Sequence, residues 1–325
     1  MKVLHITNAF PYEGHPEYGC FISEQIESLD AKVESEVLFV NAHKNGPFEY
    51  FKSLKRIRKK SNEVDVIHCH HLFSYILYKL SFSKRKPVVL SFLNDWTKEI
   101  KFKLPEKLKH LLCRFYIRKA DAVIFKSFIP KFLTGNKFVF LPNGVDCMYF
   151  DIIDKKIAKN KLGLSHDNNY ILFVSSKNLY RHQKRFDIFN NVIKELQVKY
   201  KSHNYEPLTM SIDTRDTARN KINCAALHLL CSDYEGSPNS VKEALSSGVP
   251  VVSRPAGSVQ ALLEGTPFTK LVDSDDPSEI ADAIHNLLQS NIDRHAIRSA
   301  LLSSGNSKEE VAVKLCALYE RILMS

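Results

Sequence analysis

Two glutamates in the second half of the chain lie where a sheet protein could bind a ligand. Glu235 and Glu243 fall in the segment 232–253, between two short apolar runs that predict buried strands. The residues between the runs predict a helix, with Glu235 in the turn before it and Glu243 on it. Backbone N–H groups at a helix start favour an anionic or hydroxyl-rich ligand. The segment therefore predicts a binding site at the carboxyl end of a strand, where open α/β sheets bind ligands.

The helix between these runs has start and stop signals of its own. We expect Ser237 to cap it, Pro238 to occupy its first position and Gly248 to end it in a left-handed conformation. Glu243 lies away from an apolar stripe that should pack on the sheet. The stripe consists of Val241, Ala244, Leu245 and Gly248.

A second group of chemically useful side chains follows the strand predicted at 170–174. Its loop carries Lys177, Arg181, His182, Lys184 and Arg185 ahead of a further helix. Five basic groups at the carboxyl end of a strand suit a diphosphate. A solvated surface loop would also explain them, so the loop alone leaves both interpretations open.

The first half offers weaker candidates of two kinds. A long polar loop after the first strand ends at Gly19, where a missing side chain lets the backbone approach a diphosphate or simply turns the chain. His68, His70 and His71 follow the strand residues 64–67. No carboxylate stands at a partnering spacing, so we expect no metal, and we expect His68 to be a satisfied core or edge histidine.

The elements alternate along the whole chain, which predicts an α/β fold with two parallel, doubly wound sheets. The predicted strands are 2–7, 35–40, 64–69, 87–92, 121–126, 137–141, 170–174, 207–212, 225–231, 249–253 and 268–272. The predicted helices of the first half are 20–30, 48–60, 72–80, 99–119 and 128–134, and those that close the chain are 277–289, 293–303 and 307–323.

Composition places the protein among ordinary globular chains. Its 325 residues are 44% hydrophobic and 25% charged, which suits two medium domains. Seven scattered cysteines indicate buried thiols in a reducing compartment. The first strand begins at once, without a basic and apolar leader, and no apolar run is long enough to span a membrane. We therefore expect a cytoplasmic protein.

The net charge of +10 calls for an anionic partner. Basic residues interleave with apolar ones in two segments, 48–60 and 101–119. Such helices can lie on an anionic membrane surface, or can be surface helices whose apolar face packs in the core. We expect no nucleic-acid partner, since neither a helix-turn-helix nor an aromatic stacking motif stands beside the charge.

The segment 235–252 resembles the donor-sugar signature of the retaining glycosyltransferases with the GT-B fold, of the family 4 or group 1 type. The resemblance rests on Glu-Gly-Ser-Pro-Asn, Val-Lys-Glu-Ala-Leu and Gly-Val-Pro-Val-Val, in that order. Residues 142–146, Pro-Asn-Gly-Val-Asp, resemble the hinge of that family. The resemblance implies two Rossmann-like domains facing across a cleft: an acceptor-side domain at 1–147, a nucleotide-sugar domain at 148–306, and a final helix, 307–325, that packs back on the first domain.

The resemblance also implies roles for individual residues. Glu235 would contact hydroxyls of the donor sugar, and Glu243 the ribose. Arg181 and Lys184 would neutralise the leaving diphosphate, with Lys177 as the alternative cation and Gly19 as the close backbone approach. The remaining implied donor contacts are Gly236, Ser237, Pro238, Asn239 and Ser240, and the acceptor-side candidates are His70, His71 and Asp95.

Two departures from the family pattern affect these expectations. Residues 92–96 read Phe-Leu-Asn-Asp-Trp, where many relatives have a histidine, so Asp95 is the ionisable group left there. Residues 201–224 are short for the further strand and helix of relatives, so we expect a trimmed second domain.

The function expected from the resemblance is retaining transfer of a sugar from a nucleotide sugar to a glycan or lipid-linked acceptor, in bacterial surface polysaccharide or lipopolysaccharide synthesis. We expect a UDP-sugar ahead of a GDP-sugar, no metal, and a cytoplasmic protein peripheral to the membrane. The alternatives are a non-catalytic GT-B subunit that partners another transferase, an isomerase or phosphorylase of the same fold, and a purely structural strand-helix-strand unit.

Overall fold

A computed structural model describes residues 1–15, 18–29, 33–94, 96–98, 105–176 and 178–324. It divides the chain into two compact units, Met1–Gly144 with Lys308–Ser325, and Val145–Ser307. The boundaries expected from the sequence, at 147 and 306, lie within a few residues of these.

The first unit is built on a sheet of six described strands, all parallel, in the order β2-β1-β3-β4-β5-β6. Two strands adjacent in the sheet, β1 and β3, mark where the chain reverses its direction of winding. The strands are β1 (Lys2–Thr7), β2 (Glu34–Phe39), β3 (Val66–Cys69), β4 (Val88–Phe92), β5 (Ala122–Phe125) and β6 (Phe138–Phe140).

Helices cover both faces of this sheet. One face packs against α3, α4 and α5 around Leu4, Ile67 and Leu90, and the other packs against α13 around Val3, Val66 and Leu315. The helices are α1 (Cys20–Glu27), α2 (Ala42–Asn45), α3 (Glu49–Ser61), α4 (Leu72–Leu80), α5 (Glu106–Lys119) and α13 (Lys308–Leu323).

The second unit has a sheet of five described strands, all parallel, in the order β11-β10-β9-β7-β8. The winding reverses between β7 and β9. The strands are β7 (Asn169–Val174), β8 (Tyr205–Met210), β9 (Leu227–Leu230), β10 (Val251–Ser253) and β11 (Thr269–Leu271). The helices are α6 (Lys155–Leu162), α7 (Phe186–Lys199), α8 (Arg215–Cys224), α9 (Asn239–Ser246), α10 (Val259–Leu263), α11 (Pro277–Leu288) and α12 (Arg294–Ser303).

The predicted α/β class with two parallel, doubly wound sheets is confirmed. The predicted helix at 128–134 is wrong: these residues form a turn, in which Leu133 N–H donates to Pro130 O. Pro130 disfavours the helical conformation of the residue before it, Ile129. The expectation that residues 201–224 are too short for a further strand and helix is wrong: the interval holds both β8 and α8, joined by a short loop.

None of the helices in the described part of the chain combines the length and the apolar character needed to span a bilayer.

Candidate functional site

The turn at Glu235 lies at the switch point of the second sheet. It follows β9, and the basic loop follows β7, the neighbouring strand across the switch point. Loops that leave the carboxyl ends of such a strand pair diverge to opposite sides of the sheet and leave a crevice for a ligand. The topology therefore brings together the glutamate and the cations that the sequence placed fifty residues apart.

An ion pair joins the two loops. Lys184 Nζ lies 2.6 Å from Glu235 Oε1, and Ser232 Oγ donates to the same oxygen at 2.7 Å. The side chains of Lys184 and Glu235 are 11% and 12% exposed. Burying a charge this deeply costs free energy unless the charge is paired. The ion pair therefore fixes the positions of both side chains.

Backbone hydrogen bonds hold the same turn from both sides. Asp233 N–H donates to Gln183 O at 2.9 Å, and Ser258 N–H donates to Gly236 O at 2.9 Å. Gly257 has φ +60°, and a Cβ there would come within 2.4 Å of Glu235 O. Only glycine fits so close to the turn, so the loop after β10 supports Glu235 directly.

The helix α9 after Glu235 begins one residue later than expected. Its N-cap is Pro238, without a side-chain capping bond, and Ser237 precedes it and accepts from Lys242 Nζ at 2.7 Å. The apolar stripe is buried as predicted, and Gly248 follows the helix with φ +65°. Glu243 is half-buried on the second turn of α9.

Ser240 and His228 form a buried pair beneath α9. Ser240 Oγ lies 3.1 Å from His228 Nε2, and His228 Nδ1 lies 3.0 Å from Leu172 O. A carbonyl only accepts, so Nδ1 carries the proton and Nε2 accepts from Ser240. Burial lowers the pKa of His228 to about 4, so the ring is neutral at pH 7.

The other residues of the basic loop have separate surroundings. Arg181 Nη1 lies 3.4 Å from Ser176 Oγ and its side chain is half-buried, whereas His182 is exposed. Lys177 lies outside the described residues, as does Asp95 of the acceptor-side candidates. The structure thus brings Lys184, but not Arg181, into contact with Glu235.

Arg185 belongs to a network of two arginines and three aspartates. Its guanidinium bonds Asp187 at 3.0 Å, Asp233 at 3.2 Å and Asp275 at 3.2 Å. The hydrogen bonds that Arg185 donates, to Asp187 first and then to the other two carboxylates, raise the pKa of Arg185. Arg254 bonds the last two aspartates as well. The network ties together the loops that follow β7, β9, β10 and β11.

The first unit places its candidates at the carboxyl ends of β1 and β3. Gly19 precedes α1 with φ +71°, and a Cβ there would come within 2.5 Å of the Ala9 backbone. Its missing side chain is therefore required by the loop itself. His71 caps α4 by accepting from Phe73 N–H at 3.0 Å.

His70 belongs to a buried cluster of three histidines. His5 Nδ1 lies 2.9 Å from His70 Nε2, and the rings of His68 and His70 stack with centroids 3.9 Å apart. Both ring nitrogens of His68 have partners, Tyr319 Oη at 2.6 Å and Ser91 Oγ at 2.7 Å. The predicted satisfied core histidine is therefore present at His68.

The three rings offer nitrogens within 4.8 Å of one another, the spacing of a potential metal site. Burial lowers the pKa of His5 to about 3 and the pKa of His70 well below its usual value. Lys126, fully buried nearby, donates to Gln25 Oε1 at 3.2 Å, and burial lowers its pKa to about 7. A neighbouring ammonium opposes a bound cation.

Two family models match the chain. The model "Glycosyl transferase 4-like" matches residues 20–127, and "Glycosyl transferases group 1" matches residues 193–290. Together these ranges cover more than half of the 325 residues. The chain belongs to the group 1 glycosyltransferases. The expected group 1 glycosyltransferase family is thereby confirmed, and its retaining mechanism stays a prediction. Glu235 and Glu243 lie inside the second matched range, and Lys184 lies before it.

Solved structures with a similar fold match 83% or more of this chain. The sucrose-phosphate synthase of Thermosynechococcus elongatus matches with TM-score 0.78 and 14% identity, covering 99% of both chains. Anabaena HepE, solved with UDP and glucose, matches with TM-score 0.72 and 15% identity, covering 99% of this chain and 100% of its own. S. aureus TarM matches with TM-score 0.63 over 83% of this chain and 57% of its own, at 14% identity. These likenesses establish the GT-B fold. No curated protein sequence matches the chain.

Several residues that contact the turn at Glu235 or helix α9 gave little signal in the sequence. Gly257, Lys242 and His228 all contact the signature turn or α9, yet each lies in a stretch that its local pattern explains as strand, helix or loop. The one available clue was Lys242, a lysine beside the apolar stripe of α9 that proves 1% exposed.

Proposed function

We propose that this protein is a retaining glycosyltransferase that moves a sugar from a nucleotide diphosphate sugar, a UDP-sugar, to a glycan or lipid-linked acceptor. The observation that carries the proposal is the contact between Lys184 and Glu235 at the switch point of the second sheet. It places a cation and a carboxylate together where a parallel sheet binds ligands.

The chemistry of sugar transfer explains why both charges are needed. Bond cleavage creates oxocarbenium character on the sugar and negative charge on the leaving diphosphate. Lys184 has three N–H donors, of which one reaches Glu235, so the ammonium can also bind phosphate oxygens. Glu235 is held by Ser232 and accepts hydrogen bonds from sugar hydroxyls. Electrostatic stabilisation of the leaving group is then the main contribution to rate.

The other assigned roles fill the space around this pair. Arg181, and Lys177 as its alternative, add positive charge at the diphosphate, and Gly19 stays the predicted close backbone approach. Glu243 binds the ribose. The donor hydroxyls are bound by the turn and start of α9, which comprise Gly236, Ser237, Pro238, Asn239 and Ser240.

The proposed donor is a UDP-hexose. Anabaena HepE, similar in fold over the whole chain, was solved with UDP-glucose. We propose that no metal takes part: Lys184 and Arg181 supply the charge at the diphosphate, and the histidine cluster lies beside the ammonium of Lys126. The acceptor is proposed to belong to surface polysaccharide or lipopolysaccharide synthesis. A TarM structure contains α-GlcNAc-glycerol and UDP, which supports a polymer-type acceptor.

Retention is proposed to occur by front-face attack. The acceptor hydroxyl approaches on the side of the leaving diphosphate, forms the new C–O bond as the old one breaks, and gives its proton to a phosphate oxygen. His70, His71 and Asp95 are the acceptor-side candidates, and their roles stay predictions.

The experiment begins with donor choice. Thermal shift against UDP, GDP and ADP, each with its common sugars, should show the largest rise in Tm for a UDP-sugar, because ligand binding stabilises the folded state. Release of UDP is then measured with the preferred donor, with and without EDTA. Wild-type protein should release UDP in both, and the sugar should keep its anomeric configuration in the product by NMR.

Lys184→Met and Glu235→Ala serve as matched variants in that assay. Each should lose about 100-fold or more in rate, the usual cost of removing a charge-stabilising group. Wild-type rates in both variants would refute the assignment. Donor binding without turnover by the purified wild type would favour the alternative, a subunit that partners another transferase.

A further inference from the structure

Large apolar side chains are exposed on two helices of the first unit. Phe48 and Phe51, at the start of α3, are 76% and 72% exposed. On α5, the exposures are 40% for Leu108, 64% for Leu111 and 54% for Phe115. Ile57 and Ile117 are fully buried. Each helix therefore packs only part of its apolar residues in the core and exposes the rest.

The exposed apolar residues of α5 form one stripe. Positions 108, 111 and 115 are spaced three and four apart and so lie on one side of the helix. Lys107, Arg114 and Arg118 flank the stripe and lie on the same stretch of helix surface as Leu111 and Phe115. This face combines apolar and cationic groups along its length.

The same two helices carry most of the chain's net charge. They contain eleven Lys and Arg and two Glu, a net charge of +9, beside +10 for the whole chain. Both glutamates are neutralised within their own helix: Glu49 is buried and pairs with Arg56, and Glu106 pairs with Lys109 at 2.8 Å. Lys60 pairs with Glu36 of β2. The remaining cations face water.

The two helices lie in one layer on the same face of the first sheet. Helix α4 lies between them, since Tyr50 of α3 packs edge-on against Phe73, and Tyr75 packs against Tyr116 of α5. Their outward faces therefore belong to one side of the unit, which suits a broad, flat ligand.

We propose that this side of the first unit, the outward faces of α3 and α5, binds the surface of an anionic lipid bilayer. The phenylalanine and leucine side chains insert among the acyl chains, and the lysines and arginines bind the headgroup phosphates. Exposed leucines favour lipid over nucleic acid, because bases are bound by stacking aromatics and hydrogen bonds. The inference does not depend on the proposed glycosyl transfer, although a lipid-linked acceptor would be brought close by it.

The test is co-sedimentation of the full chain with vesicles, without any sugar nucleotide. An equal mixture of phosphatidylglycerol and phosphatidylcholine should bind the protein, and phosphatidylcholine alone should bind it much less. Added salt should weaken binding, since it screens the headgroup attraction. Because no donor is present, the result is separate from that of the transferase assay.

Two double variants address the apolar and the charged parts. Leu111→Ser with Phe115→Ser should lower the partition coefficient about tenfold or more, through lost insertion. Arg114→Gln with Arg118→Gln should lower it about 20-fold for anionic vesicles, because each cation near the surface contributes about 1 kcal/mol. Phe48→Ser with Phe51→Ser should lower the partition coefficient by a similar factor to Leu111→Ser with Phe115→Ser.

The matched control is Val198→Ser with Val313→Ser, which removes two apolar side chains of 67% and 69% exposure elsewhere. It should bind vesicles as the wild type does, and circular dichroism should show every variant folded. No vesicle binding by wild type would overturn the proposal. So would equal losses in the control, or variants that bind as tightly as wild type. Full displacement from vesicles by duplex DNA, with the Ser variants binding that DNA normally, would identify a nucleic-acid surface instead and would also overturn it.

Discussion

Lys184 and Lys126 are both buried lysines that follow a strand of a parallel sheet, one in each unit, yet their neighbours differ. Lys184 contacts the carboxylate of Glu235 at 2.6 Å. Lys126 contacts the amide of Gln25 and lies near neutral histidine rings, and burial lowers its pKa to about 7. The cation of the second unit thus has a carboxylate partner, whereas burial in the first unit destabilises the charged form of Lys126.

The difference shows what each unit can contribute to the reaction. A paired, partly accessible ammonium can exchange one partner for a phosphate oxygen at little cost. A fully buried lysine that has no carboxylate partner among the described residues stays costly in its charged form, so its substitution should change stability rather than the charge at the leaving group. Four changes would break or sharpen this comparison.

Breaking the pair in the second unit should have the largest effect. Lys184→Met and Glu235→Gln should each lower kcat/KM about 1000-fold, as loss of a main electrostatic group does. The double variant should be little worse than either single one, because the two residues act as a unit. A double-mutant cycle of transferase rates checks this. Losses that multiply would mean that the two side chains act independently.

Removing the buried cation of the first unit should stabilise the protein. Lys126→Met should raise the free energy of unfolding by about 4–5 kcal/mol at pH 7 and below, since the pKa lies about 3.5 units under its usual value and one unit corresponds to about 1.4 kcal/mol. The folded pKa is about 7 and the usual value is 10.5. The unfolded chain therefore binds more protons between these values, so wild-type stability rises with pH across that window, and the variant's advantage should vanish above it.

Urea unfolding at several pH values measures this advantage. Lys52→Met, which changes an exposed lysine of α3, is the matched control and should leave stability within about 0.5 kcal/mol. A Lys126→Met protein less stable than wild type at pH 6 would contradict the contrast between the units.

Gly257→Ala tests whether backbone packing, rather than charge alone, positions Glu235. The new Cβ would meet Glu235 O at 2.4 Å, so stability should fall by about 2–3 kcal/mol and the transferase rate should fall with it. Gly265→Ala is the control, since it shares a positive φ but has open space around its Cβ. It should cost about 1 kcal/mol and leave the rate unchanged.

Arg185 should show the smallest effect, because its ion pairs lie near the surface. Its φ of +54° favours glycine, so Arg185→Gly should be about 1 kcal/mol more stable than Arg185→Ala in urea unfolding. The lost ion pairs should cost both variants about 1 kcal/mol. Equal stabilities would mean that the left-handed backbone at this position puts no strain on a side chain.

The sequence predicted the parts of the site that depend on local chemistry. The strand, turn and helix around Glu235, and the cations after β7, all follow from apolar runs, capping residues and charge. Topology then supplied the contact between Lys184 and Glu235, since strands next to a switch point place their loops together. The prediction of a helix at 128–134 was wrong because its apolar residues belong to a turn that begins at Pro130.

The remainder could not be predicted because it depends on distant parts of the chain. The five charged residues of the Arg185 network follow four different strands. His5 contacts His70, which lies 65 residues further along the chain. A single sequence shows neither set of contacts. Likewise, Phe51 and Ile57 have the same local pattern on α3, and only the packed structure shows that one is exposed and the other buried.

Val145 and Ser307, the first and last residues of the second unit, pair with each other. The second unit is therefore an insertion in the first, and this determines the order in which the two units can fold during synthesis. The second unit begins and ends at these two neighbouring residues, so the ribosome completes it before it completes the first. The strands of the first sheet are synthesised earliest, but one face of that sheet is covered only after α13 is synthesised. Leu315 and Tyr319 of α13 are fully buried against it. A nascent chain stopped before Lys308 would hold a finished second unit and a first unit with one open face.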